Sequence, residues 1–174
     1  MPEVLPDAMA KWTPAPDWSA ARLKRADWRA SPVDGLIQLL VSGDLEAAFA
    51  TLSPPPASTG LWEIARGSLV AVRIGRDRAL LASRAAIDLP RGWQAGGWAA
   101  TDASDAYQIF DIEGPALRQI VAEATSADVE AGSRSAAIQF ASVPALLYRT
   151  AEDCARLHVE AALAPYVWRW LETR

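Results

Sequence analysis

The stretch from Ala99 to Val121 constrains the fold more than any other part of the chain. It runs polar turn, strand, Gly-Pro corner, helix. Tyr107 to Ile112 alternates, with Gln108, Phe110 and Ile112 on one side and Tyr107, Ile109 and Asp111 on the other. Aromatic and β-branched residues at a period of two predict a strand. Glu113-Gly114-Pro115 stops it. Proline at a first helical position has its φ already set and lacks an amide that would go unpaired there. Leu117, Ile120, Val121 and Ala124 then share one helical face, and Ser126 to Gly132 is a loop.

The rest of the C-terminal half supplies what such a unit needs. Ser135 to Ala141 and Ala145 to Thr150 are predicted strands. Glu152-Asp153 is a turn, and Cys154 to Glu160 is a third strand. In that strand Ala155, Leu157 and Val159 face one way, and Cys154, Arg156, His158 and Glu160 the other, so one sheet face is partly polar. Leu163, Val167, Trp170 and Leu171 give a closing helix, with Pro165 tolerated in its first turn. Strand-helix-strand-strand-strand-helix predicts an α+β fold of ferredoxin-like, split βαβ layers.

The N-terminal half is harder to read. Residues 1 to 31 have no clear period and form an irregular or helical arm, with a short helix possible from Ser19 to Trp28. Two paths are open for this arm: packed on its own domain, or wrapped on a partner through its indoles. Pro32 to Leu52 has apolar residues three and four apart. This predicts two helices, the first ended by Gly43 and the second capped by Asp44. Ser53 to Gly60, with three consecutive prolines, marks a boundary between an arm-and-helix segment, 1–60, and an α+β domain, 61–174. Leu61 to Ile74 is predicted as strand, Ala79 to Ile87 as an alanine-rich helix, and Asp88 to Gly97 as a loop.

Composition excludes several functions. One histidine and one cysteine, with no Cys/His cluster, leave neither a zinc site nor a disulfide framework. A net charge of −4 is wrong for a dedicated nucleic-acid binder. No apolar run approaches the roughly 20 residues that span a bilayer. The acidic, proline-bearing start lacks the plan of a signal peptide, so a cytoplasmic location is expected. Eight tryptophans are many for this length and suggest aromatic anchors. Trp12, Trp18, Trp28 and Trp168 are the candidate partner contacts.

No catalytic constellation stands out. Cys154 and His158 lie four apart on one strand face, roughly 13 Å along it, too far for a thiolate-imidazole pair. Asp102, Ser104 and Asp105 read as turn formers before they read as an acid-nucleophile cluster. Arg22, Lys24, Arg25 and Arg29 are interrupted by acids and read as a solvated face. The glycines match no phosphate-cradling spacing.

Several motifs in this order resemble the gamma subunit of heterotetrameric sarcosine oxidase. They are Ser31-Pro32, Leu89-Pro90, Thr101-Asp102-Ala103-Ser104-Asp105, the strand into Gly114-Pro115, the Val143 to Arg149 strand, and Tyr166-Val167-Trp168-Arg169-Trp170-Leu171. That family is itself related to the folate-binding domains of the glycine-cleavage T-protein. The chain differs in an added segment before Ser31, a shortened stretch between Leu89 and Thr101, and Ala161-Ala162 where the relatives often carry Arg-Ser. The resemblance implies a non-catalytic, structural subunit of a complex that oxidises N-methylglycine. Its partners would be larger flavoenzyme subunits that hold FAD or FMN, and this chain would bind no cofactor itself. In the T-protein an aspartate near the strand matching Val143 to Leu147 activates the folate amine. Here Ser142-Val143-Pro144-Ala145-Leu146 carries no carboxylate, and a general base must reach the reacting proton. The alternative is a free-standing tetrahydrofolate-binding protein related to aminomethyltransferase, which rests on fold ancestry alone.

Overall fold

A computed structural model describes residues 15–174. Strands dominate. Two short ones, β1 (Leu23–Lys24) and β2 (Arg29–Pro32), lead into β3 (Ile37–Gly43) and helix α1 (Leu45–Ala50). Five more follow: β4 (Ala57–Thr59), β5 (Leu69–Arg73), β6 (Arg78–Ser83), β7 (Gly92–Gln94) and β8 (Trp98–Asp102). The chain then runs β9 (Tyr107–Glu113), α2 (Leu117–Ala124), β10 (Ala137–Phe140), β11 (Val143–Ala151), β12 (Cys154–Glu160) and α3 (Ala164–Glu172).

These strands form two sheets. The first has the order β1-β2-β9-β12-β11-β10, the second β4-β5-β6-β3-β8-β7. Pairing is antiparallel throughout except for β4 with β5. Helix α2 carries the chain from β9 to β10, and β11 and β12 fill the gap between those two strands. This is the split crossover of an α+β layer. Strands from both sides of position 60 share each sheet: β3 lies between β6 and β8, and β2 pairs with β9.

Burial follows the alternation. Phe110, Ile112, Leu147, Leu157 and Val159 face α2 and α3, where Leu117, Val121, Val167 and Leu171 complete one core. Leu39, Val41, Ala71 and Leu81 face α1 in a second. Leu80, Val72, Leu146 and Tyr148 meet between the sheets in a third. The layers are therefore helices, sheet, sheet, helix. Burial of this much apolar side chain on both faces of both sheets is the main stabilising term.

Three helical expectations are corrected. The first helix predicted in Pro32 to Leu52 is strand β3, and the predicted helix at Ala79 to Ile87 contains strand β6. Both strands are central and buried on two faces. A strand buried on both faces is apolar at nearly every position, so leucine spacing alone cannot separate it from a helix. Gly43 is needed because a Cβ there would lie 2.9 Å from the Cα of Trp98 on β8, at a φ of +102°. It does not cap a helix. Asp44 does cap α1, its carboxylate accepting from the Ala47 amide at 3.0 Å. The predicted Ser19 to Trp28 helix is one turn on Asp17 followed by the β1–β2 hairpin, closed by the Arg25 amide on the Trp28 carbonyl. The predicted loop at Asp88 to Gly97 includes edge strand β7.

Strand β4 lies inside the stretch read as a linker, β2 reaches into the arm, and β8 replaces the predicted polar turn. Elements β9, α2, β10, β11, β12 and α3 fall where the pattern places them. Pro115 stands two residues before α2, which Ala116 caps. Pro165 lies in the first turn of α3.

Candidate functional site

The polar face read on β12 turns inward, toward the second sheet. His158 is fully buried there. Its Nδ1 lies 2.9 Å from Gln38 Oε1, and its Nε2 lies 3.1 Å from the Tyr148 hydroxyl. The protons can be placed by elimination. Gln38 Nε2 faces the carbonyls of Ser104 and Tyr107 at 3.2 and 3.4 Å. Carbonyls only accept, so that end of the amide is the nitrogen and its oxygen faces the ring. Nδ1 therefore donates to Gln38, Nε2 is bare, and the phenol donates to it. The imidazole is neutral with both nitrogens satisfied.

Electrostatics agrees. Burial first, and the charge of Arg156 second, push the His158 pKa down to about 3. Burial pushes the Tyr148 phenol up to about 12, offset in part by Arg156. Next to this pair Arg156 makes two 2.8 Å hydrogen bonds to Asp111 on β9, from Nε to Oδ1 and from Nη2 to Oδ2. Burial alone would lower the Arg156 pKa, but the hydrogen bonds and charge of Asp111 outweigh it and hold the guanidinium ionised. Among the described residues every buried side-chain nitrogen and oxygen has a partner. A network satisfied in this way specifies how the two sheets register. It ties β3 of one sheet to β11 and β12 of the other.

The other sequence candidates are placed as follows. Cys154 is half-buried and separate from His158. Its Sγ accepts from Thr150 Oγ1 at 3.0 Å, and burial raises its thiol pKa. Asp102 forms a turn, accepting from the Ser104 amide at 2.9 Å, and the Ser104 hydroxyl in turn accepts from the Gln38 amide at 3.1 Å. This cluster therefore scaffolds Gln38. The basic run binds locally: Arg25 donates to the carbonyls of Glu172 and Arg174, and Arg29 pairs with Glu113.

Of the candidate contact tryptophans, Trp12 lies outside the described residues. Trp28 and Trp168 are buried in this chain's own core, at 7% and 3% exposure. Trp18 is half-buried, its ring 5.5 Å from Phe110 and 5.9 Å from Trp168, both edge-on. The described part of the arm thus lies on its own domain. Among the described residues the indole that faces solvent is Trp93 on edge strand β7, 74% exposed.

Sequence reasoning missed two residues. Gln38 was hidden by the helical reading of its segment, although a lone amide in the run Leu36-Ile37-Gln38-Leu39-Leu40 signals a buried group in need of partners. Trp62 is buried at a φ of +63°, with the guanidiniums of Arg118 and Arg149 over its ring and its indole nitrogen donating to Glu130 at 3.1 Å. Nothing local in the sequence signals that contact.

No protein-family model matches the chain, and no curated protein matches it. A solved structure does. The chain is similar to a chain of heterotetrameric sarcosine oxidase from Corynebacterium sp. U-96 in complex with pyrrole 2-carboxylate. The TM-score is 0.66 at 23% identity, covering 83% of this chain and 81% of that one. The fold is shared. The near-equal coverages make the two chains close in length. Among the described residues no helix is long and apolar enough to cross a membrane.

Proposed function

We propose that this chain is a non-catalytic, structural subunit of a heteromeric flavoenzyme of the sarcosine oxidase type, standing where a gamma chain stands. The observation that carries this reading is the shared fold across most of both chains, one of which is part of a heterotetramer. The state of His158 supports it. The only imidazole in the chain, where acid-base chemistry would first be sought, is sealed between two sheets and committed to Gln38 and Tyr148. A general base has to reach a substrate proton, and this one reaches none. On this reading FAD or FMN is held by the larger subunits, and this chain contributes surface. Trp93, the exposed indole among the described residues, is its first contact candidate, since exposed indoles make interface anchors.

Affinity capture of the tagged full chain, co-expressed with the large subunits of its own organism, tests the proposal. Recovery of a stoichiometric, flavin-bearing partner is the expected result. Recovery of the chain alone overturns it. Calorimetric titration of the isolated chain with tetrahydrofolate addresses the ancestral alternative, and saturable heat there would favour a free folate-binding protein.

A further inference from the structure

The two sheets part at one end of the sandwich, leaving an open cleft of about 480 Å³. Its floor is apolar: Leu40 and Ile74 from the second sheet side, Leu146 from the first. Its rim is polar and carries both signs of charge. Tyr107 and Glu160 are cross-strand partners on β9 and β12. Arg78 opens β6 on the opposite wall. Tyr107 is half-buried. Its phenol is pushed up by burial and by Glu160 and pulled down by Arg78, so both charges act on one hydroxyl. Arg78 and Glu160 take part in none of the ion pairs among the described residues.

The buried network holds this rim in place. The Tyr107 ring packs edge-on to His158, with centroids 6.4 Å apart, and the Tyr107 carbonyl accepts from Gln38. An apolar slot with a few fixed polar groups is the usual form of a small-ligand site, and this volume lies in the usual range. The two charges narrow the choice of occupant. A simple carboxylate would meet Arg78 but be repelled by Glu160, and a simple amine would meet the reverse. Only a molecule bearing both charges answers both walls.

We propose that this cleft binds a zwitterionic α-amino acid with an apolar side chain. Its carboxylate lies on Arg78 and the Tyr107 hydroxyl, its ammonium on Glu160, and its side chain on Leu40, Ile74 and Leu146. The inference is independent of subunit assembly, because the cleft is complete within one chain.

Amide-detected NMR titration of the full chain with L-phenylalanine tests it, with glycine, phenethylamine and 3-phenylpropionate as comparators. The expected result is saturable shifts at Tyr107, Leu146 and Glu160, with phenylalanine roughly 10-fold tighter than any comparator. Arg78→Gln and Glu160→Gln lie on the surface and leave the fold intact, and each removes that preference. The proposal is overturned by the lack of a saturable shift up to roughly 10 mM ligand. It is equally overturned if phenylalanine binds no tighter than its singly charged analogues, or if both variants retain the wild-type preference.

Discussion

Acidification should unfold this protein through one side chain before its carboxylates matter. His158 has a pKa of about 3 in the folded chain against 6.5 for the free group. Between those values the unfolded chain binds a proton that the folded chain refuses. Stability therefore rises with pH across that window and is lost as pH falls from 6.5. The slope approaches 1.4 kcal/mol per pH unit, roughly, and the loss by pH 5 is about 2 kcal/mol relative to pH 7.5. Because His158 is fully buried, solvent screening does not reduce this figure. Urea melts at closely spaced pH values read the slope. The region from pH 5 to 6.5 is diagnostic, since ordinary carboxylates titrate below it. The chain has a single histidine, so its imidazole Hε1 resonance gives an independent record. It should keep the neutral shift down to about pH 4.5. His158→Gln, which retains a polar partner for the phenol, should lose the slope. An imidazole that titrates near 6.5, or a flat stability profile between pH 5 and 6.5, would refute the sealed-network argument.

Four further outcomes are expected. Asp111→Ala strands the Arg156 guanidinium in a site where both side chains are 17% exposed. It should cost about 3 kcal/mol in a urea melt, while the double change Asp111→Leu with Arg156→Met should cost much less. Trp168→Ala empties a core position against Phe110 and Trp18 and should cost about 3 to 5 kcal/mol by the same measurement. Ser142 closes the β10–β11 hairpin at a φ of +69°, so Ser142→Gly should stabilise by about 0.5 to 1 kcal/mol in thermal unfolding. Trp93→Ala should change stability by less than about 0.5 kcal/mol yet weaken partner capture, a split that separates an interface residue from a core one.

The C-terminal half was legible because its strands are half-polar or bounded by turns. Tyr107 to Glu113 alternates, Gly114 breaks it, and the next helix shows a clean apolar face. The face read on Cys154, Arg156, His158 and Glu160 is real, but its meaning was not. The pattern shows a partly polar face but not what covers it, and here it lies against another sheet. The partners Gln38 and Asp111 come from segments far away in sequence, one of them read as helix. The N-terminal half was hidden by the same physics. In β3 and β6 both faces are covered, so period two vanishes from the sequence. Trp28 and Trp168 could be recognised as anchors, but not what they anchor to, because an indole buried in its own core and one buried in a partner look the same in sequence.

The subunit proposal is tested most directly by sedimentation velocity on material from the native source, followed both at the protein band and at the flavin's visible band. The account predicts one boundary, coloured, containing this chain and moving far faster than an 18.7 kDa protein. A colourless boundary at 18.7 kDa, separate from any flavoprotein in the same cell, would contradict it.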